Sequence, residues 1–113
     1  LVGIGALDPA VSSLLRAGYL SRAEFDAIRE RGVVGDVCAR HFDVYGQPIV
    51  PELDRRIISI SWEDLTAIPT VIGVACGEPK AFAILGALRS GLLDVLVTDS
   101  LTAESLLRLA TTG

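Results

Sequence analysis

The residues with chemistry to offer are few: Lys80 at the end of the turn Cys76-Gly77-Glu78-Pro79, Asp36 inside an apolar stretch, Arg16, the single histidine His41, and two cysteines. Lys80 falls in the first turn of an expected helix, where the macrodipole disfavours a cation by roughly 0.3–1 kcal/mol. Two readings follow. Either Glu78 offsets that cost and Lys80 is an ordinary solvated side chain, or Lys80 and the free N–H groups of the helix start together hold an anion such as a phosphate or carboxylate. Asp36 follows Gly35 among apolar neighbours. Burying a carboxylate without partners is costly, so it stands at a sheet edge, in a turn or cap, or facing a polar ligand. Arg16 is a further candidate for binding an anion, with an exposed surface arginine as the plain alternative.

Other chemistries find little support. His41 lies five residues after Asp36 on a segment that reads as extended, which puts the two side chains on opposite faces and argues against a dyad. The chain holds no G-x-S-x-G, P-loop or H-E-x-x-H motif. Cys38 and Cys76 are too few and too far apart for a zinc signature; they read as buried, reduced thiols, with a single disulfide as the alternative. No metal and no cofactor is expected. Trp62 reads as a core or interface anchor, and Thr98-Asp99 as a helix cap.

The elements that must position these residues are legible in outline. Thr70 to Ala75 is an apolar, β-branched run, as in a strand covered on both faces. Pro79 suits a first helical position, and Ala81, Ile84, Leu85 and Leu88 then recur as one helical stripe closed by Gly91. Leu93 to Val97 predicts a second buried strand, followed by a helix over about Leu101 to Ala110 with Ala103, Leu106, Leu107 and Ala110 on its apolar stripe. Strand, helix, strand, helix implies two parallel strands with a right-handed crossover. Earlier in the chain, Leu1 to Gly5 reads as a strand whose Gly3 and Gly5 admit a close backbone or ligand. Ser12 to Ala17 predicts a short helix ending at Gly18. Ser21 and Glu24 form a capping box with Leu20 and Phe25 as its staple, and Gly32 stops that helix. Val33 to Phe42 reads as extended, Asp43 to Gly46 as a turn, Gln47 to Val50 as a strand placed at an edge because Pro48 and Pro51 cannot donate to a ladder, and Arg56 to Ile60 as another strand. Ser61 caps a helix that ends at Pro69, with Ile60 and Leu65 as a second staple.

With 113 residues, half of them hydrophobic, the chain has room for one domain with a real core. No apolar run approaches the roughly 18–20 residues that span a membrane, and no signal peptide is visible. A net charge of −4 without a block of Lys or Arg makes a poor DNA-contacting surface. The start, Leu1-Val2-Gly3-Ile4-Gly5 without Met, reads as a strand already under way in a longer chain.

Four segments together resemble one family. Gly32-Val33-Val34-Gly35-Asp36-Val37 with Arg40 and Phe42-Asp43 resembles the G-A-V-G-D run and following R-x-F-D of SorC-type bacterial transcription regulators. Ile60 to Thr70, Val71 to Ile84 and Val95 to Leu107 resemble the segments that follow it there, in the same order and spacing. The resemblance implies an open, mostly parallel, Rossmann-like α/β sheet with flanking helices, similar to sugar-phosphate isomerases. It also implies that residues 1–113 are the C-terminal portion of a sugar-binding effector and oligomerisation domain, with the helix-turn-helix outside this chain.

On the same resemblance, Asp36 accepts hydrogen bonds from sugar hydroxyls, and Lys80, in the Gly77-x-x-Lys80 turn, contacts a phosphate or sugar oxygen. Arg16 matches loosely, and Cys76 stands where the family carries Gly and narrows the room beside the turn. The implied function is non-enzymatic: binding of a phosphorylated sugar or related carbohydrate by a cytoplasmic homo-oligomer that meets DNA only through a separate domain. Rival readings are a sugar-phosphate isomerase or deaminase, which would need a base and an acid within reach of a substrate carbon, and a purely oligomerising fragment.

Overall fold

A computed structural model describes residues 1–49 and 52–112 of the chain. In chain order the elements are β1 (Val2–Gly3), β2 (Gly5–Ala6), α1 (Ser13–Arg16), α2 (Arg22–Glu30), β3 (Val33–Val37), β4 (Arg40–Asp43), a 3₁₀ turn (Glu52–Arg56), α3 (Trp62–Thr66), β5 (Ile72–Val74), a second 3₁₀ turn (Glu78–Lys80), α4 (Ala81–Arg89), β6 (Val95–Val97) and α5 (Ser100–Thr112). No helix among the described residues is long and apolar enough to cross a membrane.

The two apolar runs form a parallel sheet in the order β1-β5-β6, as the strand-helix-strand pattern requires. Its inner residues join the main core around Ile4, Val71, Ile84, Leu92 and Leu106. The other face is open. Val74, Val95 and Val97 are each about half exposed, so neither β5 nor β6 is the strand buried on both faces that its composition predicts. Apolarity reports what a strand is built to be covered by, and here no described element lies over that face.

After Gly3 the chain leaves this sheet through the buried Ile4 and enters a second, antiparallel one in the order β2-β3-β4. The expected extended run over Val33 to Phe42 is in fact a hairpin. Val37 pairs with Arg40, and the two residues between them, Cys38 and Ala39, have φ of 51° and 62°. Two consecutive left-handed residues make a type I′ turn, whose twist suits a two-residue hairpin. Gly35 lets α4 settle on this sheet: a Cβ there would collide with Gly5 O and Ala83 Cβ.

The capping signals are realised. Ser21 and Glu24 form a complete capping box, and Ser61 accepts from Asp64 N. Both staples are packed, Leu20 with Phe25 in a satellite core and Ile60 with Leu65 in the main one. Three expectations fail. Arg56 to Ile60 is not a strand: the 3₁₀ turn ends at Arg56, and residues 57–60 run irregularly while Arg40 Nε and Nη2 donate to Ile60 O (2.8 Å) and Ser59 O (2.9 Å). Residues 47–49 touch β4 through a single bridge, Phe42 to Pro48; Val50 and Pro51 lie outside the described residues. On α5 the buried face is Thr102, Ser105 and Leu106, whereas Leu107 and Ala110 are exposed. The helix is rotated because its hydroxyls bond the turn before α4.

Candidate functional site

The hairpin decides what Asp36 can do. It pairs with Gly5 on one side and with His41 on the other. The missing Cβ of Gly5 leaves room that the Asp36 carboxylate occupies; a methyl there would run into Asp36 Oδ1. Asp36 Oδ2 accepts the Ala39 N–H at 3.1 Å, so the carboxylate also braces its own hairpin turn. Burial pushes the carboxyl above the ordinary aspartate value; His41 counters this most, then the Ala39 N–H and Lys80, while Asp54 adds to the rise.

Lys80 reaches the same place from the other sheet. The β5 strand ends at Val74, Gly77 takes φ 111°, and the 3₁₀ turn delivers Lys80 to the start of α4. Pro79 is therefore the second residue of the 3₁₀ turn, after Glu78, and not the first of the α-helix. Asp36 and Lys80 line one cavity of about 230 Å³ together with Gly5, Ser12, Ser13 and Ala39. That is somewhat below the roughly 300–1,000 Å³ usual for small-molecule sites. It offers a carboxylate acceptor, an ammonium donor and two hydroxyl-bearing residues, a set suited to a small polyol or its anion.

The turn that carries Lys80 is tied down by α5. Gly77 N donates to Thr102 Oγ1 at 2.9 Å, and Ser105 Oγ donates to Glu78 Oε1 at 2.6 Å. Asp99 caps α5 in the expected way: its Oδ1 accepts the N–H of the almost fully buried Thr102 at 2.8 Å. The Thr102 hydroxyl and N–H, with help from Cys76, hold the Asp99 carboxyl below its ordinary value. Gly77 thus shapes the turn and is absent from the cavity lining, and Cys76 faces Asp99. Cys38 and Cys76 are both free and exposed, contrary to the expected burial, because each sits at a turn.

Arg16 is exposed at the end of α1 and is not part of the cavity lining. A second cavity, about 250 Å³, lies between α2, β3 and α4, but its charged lining residues, Asp8 and Arg29, are not buried. Among the described residues no group of His, Cys, Asp and Glu is arranged to hold a metal.

Two polar residues of this region escape a reading by periodicity. His41 is opposite Asp36, hence on its face of the sheet, and the expectation of opposite faces is wrong because the chain reverses between them. Its Nδ1 lies 3.0 Å from Oδ1 of the buried Asp54. The only sequence signal was the polar pair Arg40-His41 after a run of apolar alternation; Cys38-Ala39 carries none of the usual turn chemistry.

Residues 1–108 match the family model described as "Putative sugar-binding domain". The transcriptional regulator LsrR of Klebsiella pneumoniae subsp. pneumoniae is 38% identical over 112 residues, 97% of this chain and 35% of the relative. The sorbitol operon regulator of Klebsiella pneumoniae is 36% identical over 109 residues, 96% of this chain and 34% of the relative. The chain thus spans about a third of the length of these curated relatives. Among solved structures, the sugar-binding domain of a transcriptional repressor from Vibrio fischeri superposes with a TM-score of 0.85 at 38% identity, covering 97% of this chain and 44% of that one. Full-length SorC of Klebsiella pneumoniae gives 0.83 at 38%, covering 94% and 34%. The chain belongs to the sugar-binding domain family of SorC-type transcriptional regulators.

Proposed function

We propose that this chain is the C-terminal portion of the effector-binding domain of a cytoplasmic, homo-oligomeric transcription regulator, and that its effector is a phosphorylated sugar or a related carbohydrate. Asp36 accepts hydrogen bonds from sugar hydroxyls, and Lys80 contacts a phosphate or sugar oxygen. The observation that carries this reading is the convergence of Asp36 and Lys80, from different sheets, on one cavity. Gly77 serves by shaping the Lys80 turn; Arg16 would enter only if α1 moved toward the ligand. DNA is met through a separate domain, and the ligand acts by favouring one of two packings of the oligomer. The bond from Gly77 to Thr102 supports a route from the ligand to α5.

Binding without turnover is favoured because His41, the second titratable group beside Asp36, is buried behind the cavity and does not line it. Incubating the full-length protein with a panel of pentose and hexose phosphates tests this. Binding without conversion is expected; isomerisation or deamination of a panel member would replace the regulator reading with the enzyme one.

A further inference from the structure

The loop before α1 is wound around Asp8. Its Oδ1 accepts the Ala10 N–H at 2.8 Å, and its carbonyl oxygen accepts the N–H groups of Val11 (3.0 Å) and Ser12 (2.9 Å). That winding sets Ser12, 5% exposed, into the lining of the cavity that Asp36 and Lys80 share. Ser12 is the N-cap of α1, and its Oγ accepts the Leu15 N–H at 3.4 Å. A cap uses a lone pair of the hydroxyl, and the hydroxyl proton is a separate donor. Among the described residues that proton has no acceptor. An almost fully buried donor left unused beside a cavity calls for a partner inside it.

Capping alone does not account for the choice of residue, because aspartate caps a helix as well with no proton to place. The other polar side chains of the lining divide the work. Lys80 is the one cation among the lining residues, so a charged end of a ligand goes to it. Asp36, as a carboxylate, can only accept, so it faces a hydroxyl of the ligand. The neutral oxygens of the ligand are what remain for the Ser12 proton.

We propose that Ser12 is a specificity-determining residue of the effector site, donating its hydroxyl proton to a neutral sugar oxygen, hydroxyl or carbonyl, while it caps α1. This rests on the assignment of Asp36 and Lys80 to that site.

Calorimetric titration of the full-length protein tests it. The ligands are glucose 6-phosphate, fructose 6-phosphate, ribose 5-phosphate and the singly deoxygenated analogues of each, and the proteins are the wild type and Ser12→Gly. Glycine is nearly as good a cap as serine, so Ser12→Gly should melt close to the wild type. Its affinity for a panel sugar should fall roughly two- to tenfold, the worth of one neutral hydrogen bond. Removing one particular oxygen from that sugar should weaken the wild type by a similar factor and leave Ser12→Gly unchanged, which a purely structural role would not produce. Wild-type affinity in Ser12→Gly, or a loss of the same size for the parent sugar and every analogue, would overturn the inference and leave Ser12 a cap alone, with the Asp36–Lys80 site standing. A wild type that binds no member of the panel would overturn the site itself and the role of Ser12 with it.

Discussion

Gly5 and Asp36 are register partners across β2 and β3, and the bare α-carbon of Gly5 leaves the space that the Asp36 carboxylate fills. The colliding atom is the end of a side chain, so Gly5→Ala should leave the fold intact and swing the carboxylate aside. The swing also releases the Ala39 N–H, so the expected result is a modestly lowered melting temperature with loss of stabilisation by sugar phosphates. A variant that keeps its ligand response would mean that the carboxylate orientation is unimportant.

Asp36 is also a stability liability. Its carboxyl is raised by burial in the folded chain, so the folded state binds more protons than the unfolded one between the ordinary aspartate value and the raised one. Stability from this group is present at low pH and is lost as pH rises through that window. Asp36→Asn removes the charge and should raise the melting temperature at neutral pH, with the gain shrinking below about pH 4. For a domain of about this size, 1 kcal/mol moves the melting temperature by roughly 4–8 °C. Thermal melts across pH check it; a lower melting temperature for Asp36→Asn at neutral pH would contradict the burial argument.

Ala39 occupies a left-handed conformation at φ 62°. That region costs a residue with a Cβ about 1–2 kcal/mol, and glycine escapes it at the expense of a more flexible unfolded chain, about 0.5–1 kcal/mol. Ala39→Gly should therefore stabilise the chain slightly, by up to about 1 kcal/mol in denaturant unfolding. Clear destabilisation would count against the hairpin turn.

Thr102→Val keeps the shape of the side chain but removes the acceptor of the Gly77 N–H. An amide left unpaired costs about 1–3 kcal/mol when fully buried, and toward the lower end for the partly buried Gly77. The denaturation midpoint should drop accordingly, and the ligand response should weaken because the Lys80 turn loses its anchor. Loss of stability with an unchanged ligand response would separate α5 from the site.

What could be read from the sequence was local and periodic. Ser21 with Glu24, and Ser61 before Asp64, carry their helix starts in the residue types themselves, and the two apolar runs could pair only as parallel strands. Lys80 at the head of α4 was legible for the same reason. The His41–Asp36 relationship was not. It depends on a reversal at Cys38-Ala39, two residues with no preference for left-handed backbone, so the strand pattern runs straight through in the sequence. Nor could the sequence show that Thr102 and Ser105 face inward. Hydroxyls on a helix look like surface until the backbone they bond is known, and Gly77 and Glu78 are more than twenty residues away.

The joint role of Asp36 and Lys80 is tested most directly by the melting temperature of the full-length protein with a panel of sugar phosphates, in the wild type, Asp36→Asn and Lys80→Ala. At a ligand concentration about 100 times Kd, binding adds about 2.7 kcal/mol to stability. At least one sugar phosphate should raise the melting temperature of the wild type by several degrees, and each substitution should remove most of that rise. A rise that survives both substitutions would contradict the site.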